Sequence, residues 1–334
     1  MNKRRTLAVA AAAVVMLLAL YVLSSAFLPF SHGQERPVEI PKGATLSRIA
    51  DSLSENSIVR DRTVFLVLAR LSGRADRLQS GLYRFPATVS ALDVLRILVA
   101  GSHQAITRVS IPEGFTIKRI AARLEKATGL SADRFIALSR DQRFIDSLGL
   151  GVRSLEGYLL PDTYDIRYDA HEEQVLGRMV TALLRHFERT HESRRRERGV
   201  SIHQVLTMAS LVEGETRLPE ERARVAGVYY NRLRRGMLLQ ADPTVQYIIP
   251  DGPRRLLYRD LAINSPYNTY LYPGLPPGPV NNPGRDAIRA ALYPESHDFY
   301  YFVADGHGGH VFTRNYAEHS RAVQRYRAML RSRE

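Results

Sequence analysis

The feature that most restricts the fold of this chain is an uncharged, apolar stretch of 22 residues near its N-terminus. It runs from Leu7 to Leu28, consists mostly of Ala, Val and Leu, and follows the basic segment Lys3–Arg5. About 20 consecutive apolar residues span the hydrocarbon core of a bilayer as a helix, whereas the apolar core of a signal peptide is only about 7–15 residues long. The stretch therefore predicts a single transmembrane helix.

The basic flank also predicts how this helix is oriented. Positive residues beside a span are retained in the cytoplasm, so residues 1–31 are expected to form a cytoplasmic basic flank and the transmembrane helix. The rest of the chain is then expected outside the cytoplasm, anchored in the plasma (inner) membrane. Ser24-Ser25-Ala26 resembles a signal-peptidase site, which leaves a cleaved leader as the alternative.

Composition narrows the function classes once this topology is considered. The formal net charge is +13, and removing the three basic residues of the segment 1–31 leaves +10 on the body. A basic body outside the cytoplasm meets anionic headgroups and cell-wall polymers, so we expect no nucleic-acid partner. Most of the basic residues are arginine, and a coding bias toward arginine is an equally good explanation of the charge. The absence of cysteine excludes disulfides, thiol catalysis and cysteine-ligated metals.

A tandem repeat follows the apolar stretch. Residues 38–50 (VEIPKGATLSRIA) recur at 109–121 (VSIPEGFTIKRIA) with a constant offset of 71. Each copy predicts a short strand, a Pro-x-Gly turn, a threonine N-cap and an amphipathic helix. Two copies indicate a tandem module rather than a solenoid. A unit of this size suits a small carbohydrate-binding fold, with a packing scaffold that binds no ligand as the alternative.

The segment 201–331 has a different composition. It predicts an apolar helix from His203 to Val212 and a second helix that begins at Pro219 and ends at Gly236. A stretch rich in amides, hydroxyls and tyrosines follows, from Gln240 to Gly284. Such side chains on irregular backbone favour a groove that hydrogen-bonds a polar, extended ligand such as a sugar chain. Ordinary connecting loops are the alternative.

Two glutamates, Glu213 and Glu215, lie where the apolar helix meets this polar segment. A carboxyl between a hydrophobic wall and a cleft has a raised pKa and suits a general acid. Because residues i and i+2 of a helix point about 200° apart, both cannot face one site unless the chain unwinds at Gly214. We expect one glutamate to catalyse and the other to orient its neighbours or to pair with an arginine such as Arg222. A structural role for both is the alternative.

The sequence shows no other catalytic signature. A nucleophile elbow, a P-loop and a glycine-rich dinucleotide turn are all missing. The turn Asp305–His310 (DGHGGH) carries two histidines three residues apart, which is not the spacing of a zinc protease. We therefore expect neither a metal site nor a cofactor.

Several blocks of the chain resemble the YceG-like endolytic murein transglycosylases, in an order and spacing that hold from the apolar stretch to about residue 326. The matching blocks are EG at 156–157, PDT at 161–163, MASLVEGET at 208–216, VAGVYYNRL at 225–233, GMLLQADPTV at 236–245, YNTY at 267–270, GLPPG at 274–278, YFVADG at 301–306 and GGH at 308–310.

This resemblance implies a membrane-anchored α+β enzyme of the cell wall. Such an enzyme cleaves the β-1,4 bond between MurNAc and GlcNAc inside nascent peptidoglycan strands and leaves 1,6-anhydro-MurNAc ends, which terminates or trims glycan elongation. The resemblance also implies a LysM-like module at 36–105 and a catalytic domain at 106–331. In that domain, 106–168 holds the second copy of the repeat and 169–331 holds the active-site part. Peptidoglycan synthases and elongation or division proteins are the candidate protein partners.

The resemblance assigns the catalytic role to Glu215, the second glutamate of its block, and implies no cofactor. Gly214 and His307 stand where lysines are common in relatives, which bears on the electrostatic tuning of Glu215. The other residues expected to bind substrate or support the site are Glu213, Tyr229, Asn231, Gln240, Asp242, Thr244, Tyr267, Asn268 and Tyr270.

Two other functions stay open from the sequence. One is a hydrolytic muramidase that activates water with Glu213 or Asp242 as the partner carboxylate. The other is a non-catalytic peptidoglycan-binding scaffold that uses the tandem module.

Overall fold

The computed structural model describes residues 3–31, 33, 37–168, 170–250 and 252–332. These residues form helices and short strands, which confirms the predicted α+β class. The chain divides into two compact units, Met1–Arg108 with Asp165–Ala170, and Val109–Tyr164 with His171–Glu334. The boundary at Arg108 lies three residues beyond the predicted end of the first module at 105.

The first unit begins with the predicted apolar helix and continues as a small mixed fold. One helix in the described part of the chain, over Val9–Phe27, is long and apolar enough to cross a membrane. The elements are α1 (Lys3–Phe27), β1 (Phe30–Ser31), β2 (Pro37–Ile40), α2 (Leu46–Glu55), α3 (Arg62–Leu71), β3 (Gly81–Arg84), β4 (Thr88–Val89) and α4 (Ala91–Ala100).

A strand–helix–helix–strand arrangement forms the core of the first unit. Strands β2 and β3 pair antiparallel with Val38 opposite Tyr83, and α2, α3 and α4 supply buried side chains such as Leu53, Phe65 and Leu98. Strand β1 pairs with β4 in a second, shorter ladder. The side chains of β2 alternate between exposed and buried positions, so every second residue of this short strand contributes to the core.

Both copies of the repeat adopt the predicted local structure. Thr45 and Thr116 cap their helices, each accepting the backbone N–H three residues further on, at 3.3 and 3.4 Å. The turn glycines Gly43 and Gly114 have φ values of +69° and +72°, a left-handed conformation that residues with a Cβ rarely adopt. The spacing of Pro, Gly and Thr was therefore sufficient to predict the strand, turn and helix of each copy.

Strands β5 (Ile106–Ser110) and β6 (Thr163–Arg167) form a two-stranded sheet. The remaining elements of the second unit are α5 (Ile117–Thr128), α6 (Ala132–Leu138), α7 (Gln142–Ser147), α8 (Glu172–Thr190), α9 (Glu192–Glu197), α10 (Ile202–Glu215), α11 (Pro219–Arg234), α12 (Asp242–Ile248), α13 (Arg285–Leu292), β7 (Tyr301–Ala304), β8 (His310–Thr313) and α14 (Tyr316–Arg331).

Helix α10 is the central element of the second unit. Ser201 and Gln204 form a capping box at its start, and every residue from Val205 to Val212 is buried. A helix that is buried on all sides needs neighbours on all sides, and α11, α12 and α13 pack against it. The helix continues through Gly214 to Glu215, so its last turn carries both candidate glutamates at the edge of the core.

Candidate active site

The C-terminal end of α10 opens into a cavity of about 400 Å³ in the second unit. Its walls come from the ends of α10 and α11, the segment 240–270, the hairpin β7–β8 and α14. The lining residues are Glu215, Arg232, Gln240, Asp242, Tyr270, Tyr301, Phe302, Val303, Ala304, His310, Tyr316 and His319.

Glu215 is the carboxyl that α10 presents to this cavity. The hydroxyl of the buried Tyr229 donates a hydrogen bond of 3.0 Å to its Oε2 atom. Burial, reinforced by the negative charge of Asp242, raises the pKa of Glu215 to about 7, although Tyr229 and the cation of Arg232 act in the opposite direction. A carboxyl with this pKa is partly protonated at neutral pH and can both donate and accept a proton.

Glu213 lies on a different face of the same helical turn and does not line the cavity. Its carboxylate accepts hydrogen bonds from Arg222 Nη2 at 3.1 Å and from the Gly284 N–H at 2.9 Å. Burial raises the pKa of Glu213, while the Gly284 hydrogen bond and the Arg222 charge lower it. The two glutamates are therefore separated as expected, because α10 does not unwind at Gly214. The expected pairing of one of them with Arg222 is also present.

Asp242 contributes a second carboxylate to the cavity wall. It occupies the first turn of α12, ahead of Pro243, and accepts a hydrogen bond of 2.5 Å from the Tyr270 hydroxyl. Burial and this hydrogen bond raise the pKa of the Tyr270 phenol, which therefore remains a donor at neutral pH. Asp242 and Tyr270 form one polar side of the cavity beside Glu215.

Gln240 reaches the same cavity from a strained backbone position. Its φ is +47°, a left-handed conformation that is uncommon for a residue with a side chain, and its N–H donates to the Thr269 carbonyl at 3.0 Å. A conformation of this kind costs on the order of 1–3 kcal/mol and is found at functional sites more often than elsewhere.

Arg232 is a cavity residue that the sequence analysis did not select. It is buried and donates to the carbonyl oxygens of Tyr300 and Leu239, at 2.7 Å each, and its guanidinium lies 5.3 Å from the centre of the Tyr301 ring. Burial lowers the pKa of Arg232. Its position in the matching block 225–233 was the signal that could have identified it.

Besides Glu213 and Tyr229, four of the expected site residues do not line the cavity. Asn231 and Asn268 donate to backbone carbonyls, the first to residues 297 and 299 and the second to residues 261 and 263. Thr244 is buried and bonds the Ala241 carbonyl at 2.7 Å. The Tyr267 ring packs against Tyr247 with 5.1 Å between centroids. The contacts of Asn268, Thr244 and Tyr267 lie within the segment 240–270, which carries Gln240, Asp242 and Tyr270.

The hairpin β7–β8 and helix α14 form the aromatic wall of the cavity, which the sequence analysis also missed. Tyr301 stacks on His319 with 5.2 Å between ring centroids, and Tyr316 packs edge-on against Tyr301 at 6.2 Å. The aromatic residues of the YFVADG block were the available signal, but their position opposite Glu215 depends on how the hairpin packs.

The polar groups of the histidine turn after β7 form hydrogen bonds within the turn and with α11. Asp305 Oδ1 accepts the N–H groups of His307 and Gly309 at 2.7 and 3.0 Å, and His310 pairs with Glu221. His171, Glu172 and Glu173 place three potential ligand atoms within 4.8 Å of one another in the described part of the chain. Arg134 pairs with both of these glutamates.

Comparison with known proteins gives one consistent family. The YceG-like family model matches residues 38–325. The endolytic murein transglycosylase of Bacillus subtilis (strain 168) is 34% identical over 304 residues, which are 86% of this chain and 84% of that protein. The protein of the same name from Streptococcus pneumoniae (strain D39) is 33% identical over 91% of this chain, and the match spans 60% of the streptococcal protein's length.

A solved structure shows the same fold. The crystal structure of a YceG-like protein from Listeria monocytogenes superposes with a TM-score of 0.61 at 30% sequence identity, over 86% of this chain and 98% of that one. Both the sequence match and the structural match extend over most of the described residues. The chain belongs to the YceG-like family.

Proposed function

We propose that this protein is an endolytic murein lytic transglycosylase in which Glu215 is the catalytic acid. The observation that carries the proposal is a single carboxyl, with its pKa raised to about 7, at the end of a buried helix and on the wall of a cavity of about 400 Å³. The names of the relatives give the reaction class, an endolytic attack on murein.

The chemistry requires only one carboxyl. Protonated Glu215 donates its proton to the oxygen of the β-1,4 bond between MurNAc and GlcNAc as that bond breaks. The C6 hydroxyl of the same MurNAc attacks C1 and closes the 1,6-anhydro ring, so a substrate hydroxyl takes the place of water. Glu215, now a carboxylate, is able to accept the hydroxyl proton. The cleavage consumes no water and ends or trims the growing glycan strand.

The neighbours of Glu215 support this cycle. The Tyr229 hydroxyl donates to Oε2 at 3.0 Å and fixes the orientation of the carboxyl. The opposite charges of Asp242 and Arg232 keep the pKa of Glu215 near neutral pH. Gln240 and Tyr270 are the polar groups best situated to hydrogen-bond sugar hydroxyls, since both line the cavity.

One observation favours a second candidate, a hydrolytic muramidase. Asp242 lines the same cavity as Glu215, so a second carboxylate is available to activate water. Glu213 is a poor candidate for that role, because Arg222 and the Gly284 N–H already occupy its carboxylate. The sugar end formed in the reaction separates the two functions: borohydride reduces the hemiacetal left by hydrolysis and leaves a 1,6-anhydro sugar unchanged.

The decisive experiment compares Glu215→Gln with the wild-type protein on purified murein, with mass spectrometry of the released fragments. We expect anhydro-ended fragments from the wild type and none from the variant, because an amide cannot donate the required proton. Tyr272→Phe, a change outside the cavity that leaves every carboxyl in place, is the matched control and should retain activity. Full activity of Glu215→Gln would refute the proposal.

We also propose that the strand–helix–helix–strand core at 36–105 is a LysM-like module that binds glycan strands. The supporting features are the order β2–α2–α3–β3 and the antiparallel pairing of its two strands. Retention on murein sacculi of a chain that lacks 200–334 tests this role, and loss of binding in that chain would contradict it. Binding that survives without any cleavage by the full protein would instead favour the scaffold function.

The N-terminal helix is proposed to anchor the protein in the plasma membrane with its basic end in the cytoplasm, so that the body reaches nascent peptidoglycan beside the synthases that make it. The support is the length of the apolar helix, Val9–Phe27, and the basic residues that precede it. A reporter enzyme that is active only outside the cytoplasm, fused at the C-terminus, tests this orientation.

A further inference from the structure

A glutamate–histidine pair lies beside the candidate active site and has no part in the chemistry described so far. Glu221, in the first turn of α11, receives the His310 backbone N–H at Oε1 (2.8 Å) and contacts the His310 ring nitrogen Nδ1 through Oε2 (2.6 Å). The Thr216 hydroxyl donates to the same Oε2 at 3.3 Å. Two contacts between the same two residues fix both the position of the turn and the rotation of the ring.

This pairing determines which ring nitrogen of His310 is basic. An ionised carboxylate only accepts hydrogen bonds, so Nδ1 must carry the proton that is shared with Glu221. In the neutral ring, Nε2 then holds a free lone pair. The His310 side chain lines the cavity, and within the described ranges no residue hydrogen-bonds its Nε2. The cavity wall therefore includes a ring nitrogen that can accept a proton whenever the ring is uncharged.

Glu215, by contrast, has only one oxygen available. Its Oε2 already accepts the Tyr229 hydroxyl, which leaves Oε1 for the substrate. The proposed reaction moves two protons, one onto the leaving oxygen O4 and one away from the C6 hydroxyl. A second acceptor on the cavity wall allows these transfers to occur at different sugar atoms without a rearrangement of the carboxyl.

We propose that His310 is a second catalytic residue of this cavity, whose Nε2 accepts the proton of the C6 hydroxyl. The inference rests on the transglycosylase function proposed above. As O6 forms its bond to C1, its proton passes to Nε2; as the C1–O4 bond breaks, its electron pair stays on O4, which takes the proton of Glu215. After product release, His310 returns its proton to solvent and Glu215 takes one up, so the protons balance over one turnover.

Glu221 is then a positioning residue. It holds Nδ1 protonated, orients Nε2 toward the reacting sugar, and its negative charge stabilises the imidazolium that forms. A purely structural link between α11 and the turn needs the proton on Nδ1 but makes no use of the lone pair on Nε2, and this difference provides the test.

The first test is His310→Asn, assayed on soluble, uncrosslinked glycan strands. The asparagine amide can occupy the place of Nδ1–H and donate to Glu221, but it has no counterpart of Nε2. We expect kcat to fall about 100-fold or more, the range typical for loss of a general base, with KM within about threefold and the melting temperature unchanged. A kcat within threefold of wild type would overturn the proposal and leave both proton transfers to Glu215.

The second test is Glu221→Gln. Its amide can donate to Nδ1 and so shift the ring proton to Nε2, while its carbonyl oxygen still accepts the His310 N–H. We expect kcat to fall about as far as in His310→Asn, and wild-type activity in this variant would contradict the assigned role of Glu221. Nitrogen NMR of the histidine rings in the wild-type protein provides a check that requires no variant, since a neutral His310 protonated at Nε2 would refute the proposal.

The failure of this inference is distinguishable from failure of the proposed function. Glu215→Gln, measured in the same assay, reports on the function itself. If Glu215→Gln still forms anhydro ends at the wild-type rate, the catalytic role of Glu215 is wrong; if the wild-type protein forms none, the proposed function is wrong. If Glu215→Gln is inactive and His310→Asn is not impaired, only the role of His310 is wrong.

Discussion

Two neighbours act in opposite directions on the protonation of Glu215. The negative charge of Asp242 raises the pKa of Glu215, whereas the Tyr229 hydroxyl, 3.0 Å from Oε2, stabilises the carboxylate and lowers it. Because Glu215 must be protonated to act on O4, the rate should decline as the pH rises through the pKa of about 7. Removing either neighbour should shift this decline, in opposite directions.

We therefore predict that Asp242→Asn moves the alkaline limb of the kcat/KM profile to lower pH, and that Tyr229→Phe moves it to higher pH. Each shift should amount to on the order of one pH unit, a typical effect of a single close charge or hydrogen bond. Rate profiles on soluble glycan strands between about pH 5 and pH 9 provide the measurement. Shifts in the same direction would show that another group controls this limb.

Glu156 is a second buried carboxyl whose protonation affects stability. Its Oε1 accepts the Ile117 N–H at the start of α5, at 3.1 Å, and the Asn282 amide at 2.9 Å. Burial nevertheless raises its pKa from 4.5 to about 8. Since the folded state binds this proton more tightly, its contribution to stability is complete below pH 4.5 and is lost as the pH rises to about 8.

Glu156→Gln should remove this pH dependence, because the amide oxygen can accept the same two hydrogen bonds and carries no charge. The free energy of unfolding of the wild type should fall relative to that of the variant by up to about 1.4 kcal/mol per pH unit inside this window. Urea unfolding of both proteins at several pH values measures the difference. Parallel curves would mean that Glu156 has an ordinary pKa.

At the scale of single elements, Gly214 allows α10 and α12 to approach closely. A Cβ built at this position would lie 2.7 Å from Cβ and Cγ of Pro243, which are held by a rigid ring at the start of α12. The catalytic helix and the helix that carries Asp242 therefore meet at a glycine. This contact gives a physical reason for glycine at position 214.

Gly214→Ala should destabilise the protein, although alanine favours a helix over glycine by about 1 kcal/mol. The steric cost of overpacking, typically about 1–3 kcal/mol, should exceed this gain, and a displaced Asp242 should also reduce the rate. Gly177→Ala in α8 is the matched control, because its nearest neighbour is 3.9 Å away, and it should be neutral or stabilising. Thermal unfolding of the two variants measures the difference in stability. Equal changes in melting temperature would argue against the Gly214–Pro243 contact.

The elements themselves were largely predictable from local sequence. Thr45 and Thr116 cap their helices, and Gly43 and Gly114 adopt the left-handed turns expected between strand and helix. These features depend on bonds within four residues along the chain, so a sequence pattern is sufficient to identify them. The hairpin β7–β8 has no such constraint on where it packs, and its contribution to the cavity was not predicted.

At the scale of the whole molecule, the net charge of +10 that lies outside the segment 1–31 should act on adhesion rather than on chemistry. Raising the salt from about 0.1 M to about 1 M shortens the Debye length from about 10 Å to about 3 Å, which screens exposed charges far more than buried ones. We predict that co-sedimentation with murein weakens over this range, while kcat on soluble glycan strands stays within about twofold. A salt-independent association would show that the arginine excess has no part in binding murein.

The sequence by itself determined the apolar helix, the two repeat copies and the separation of Glu213 from Glu215. The last follows from the angle between positions i and i+2 on any continuous helix. Only the tertiary structure decided which polar residues of the matching blocks reach the cavity. Asn231 and Arg232 are adjacent, yet Asn231 bonds backbone carbonyls at 297 and 299 while Arg232 lines the cavity. The reason is that both carbonyl partners of Asn231, and one of the two partners of Arg232, lie almost 70 residues away, and only packing brings them together.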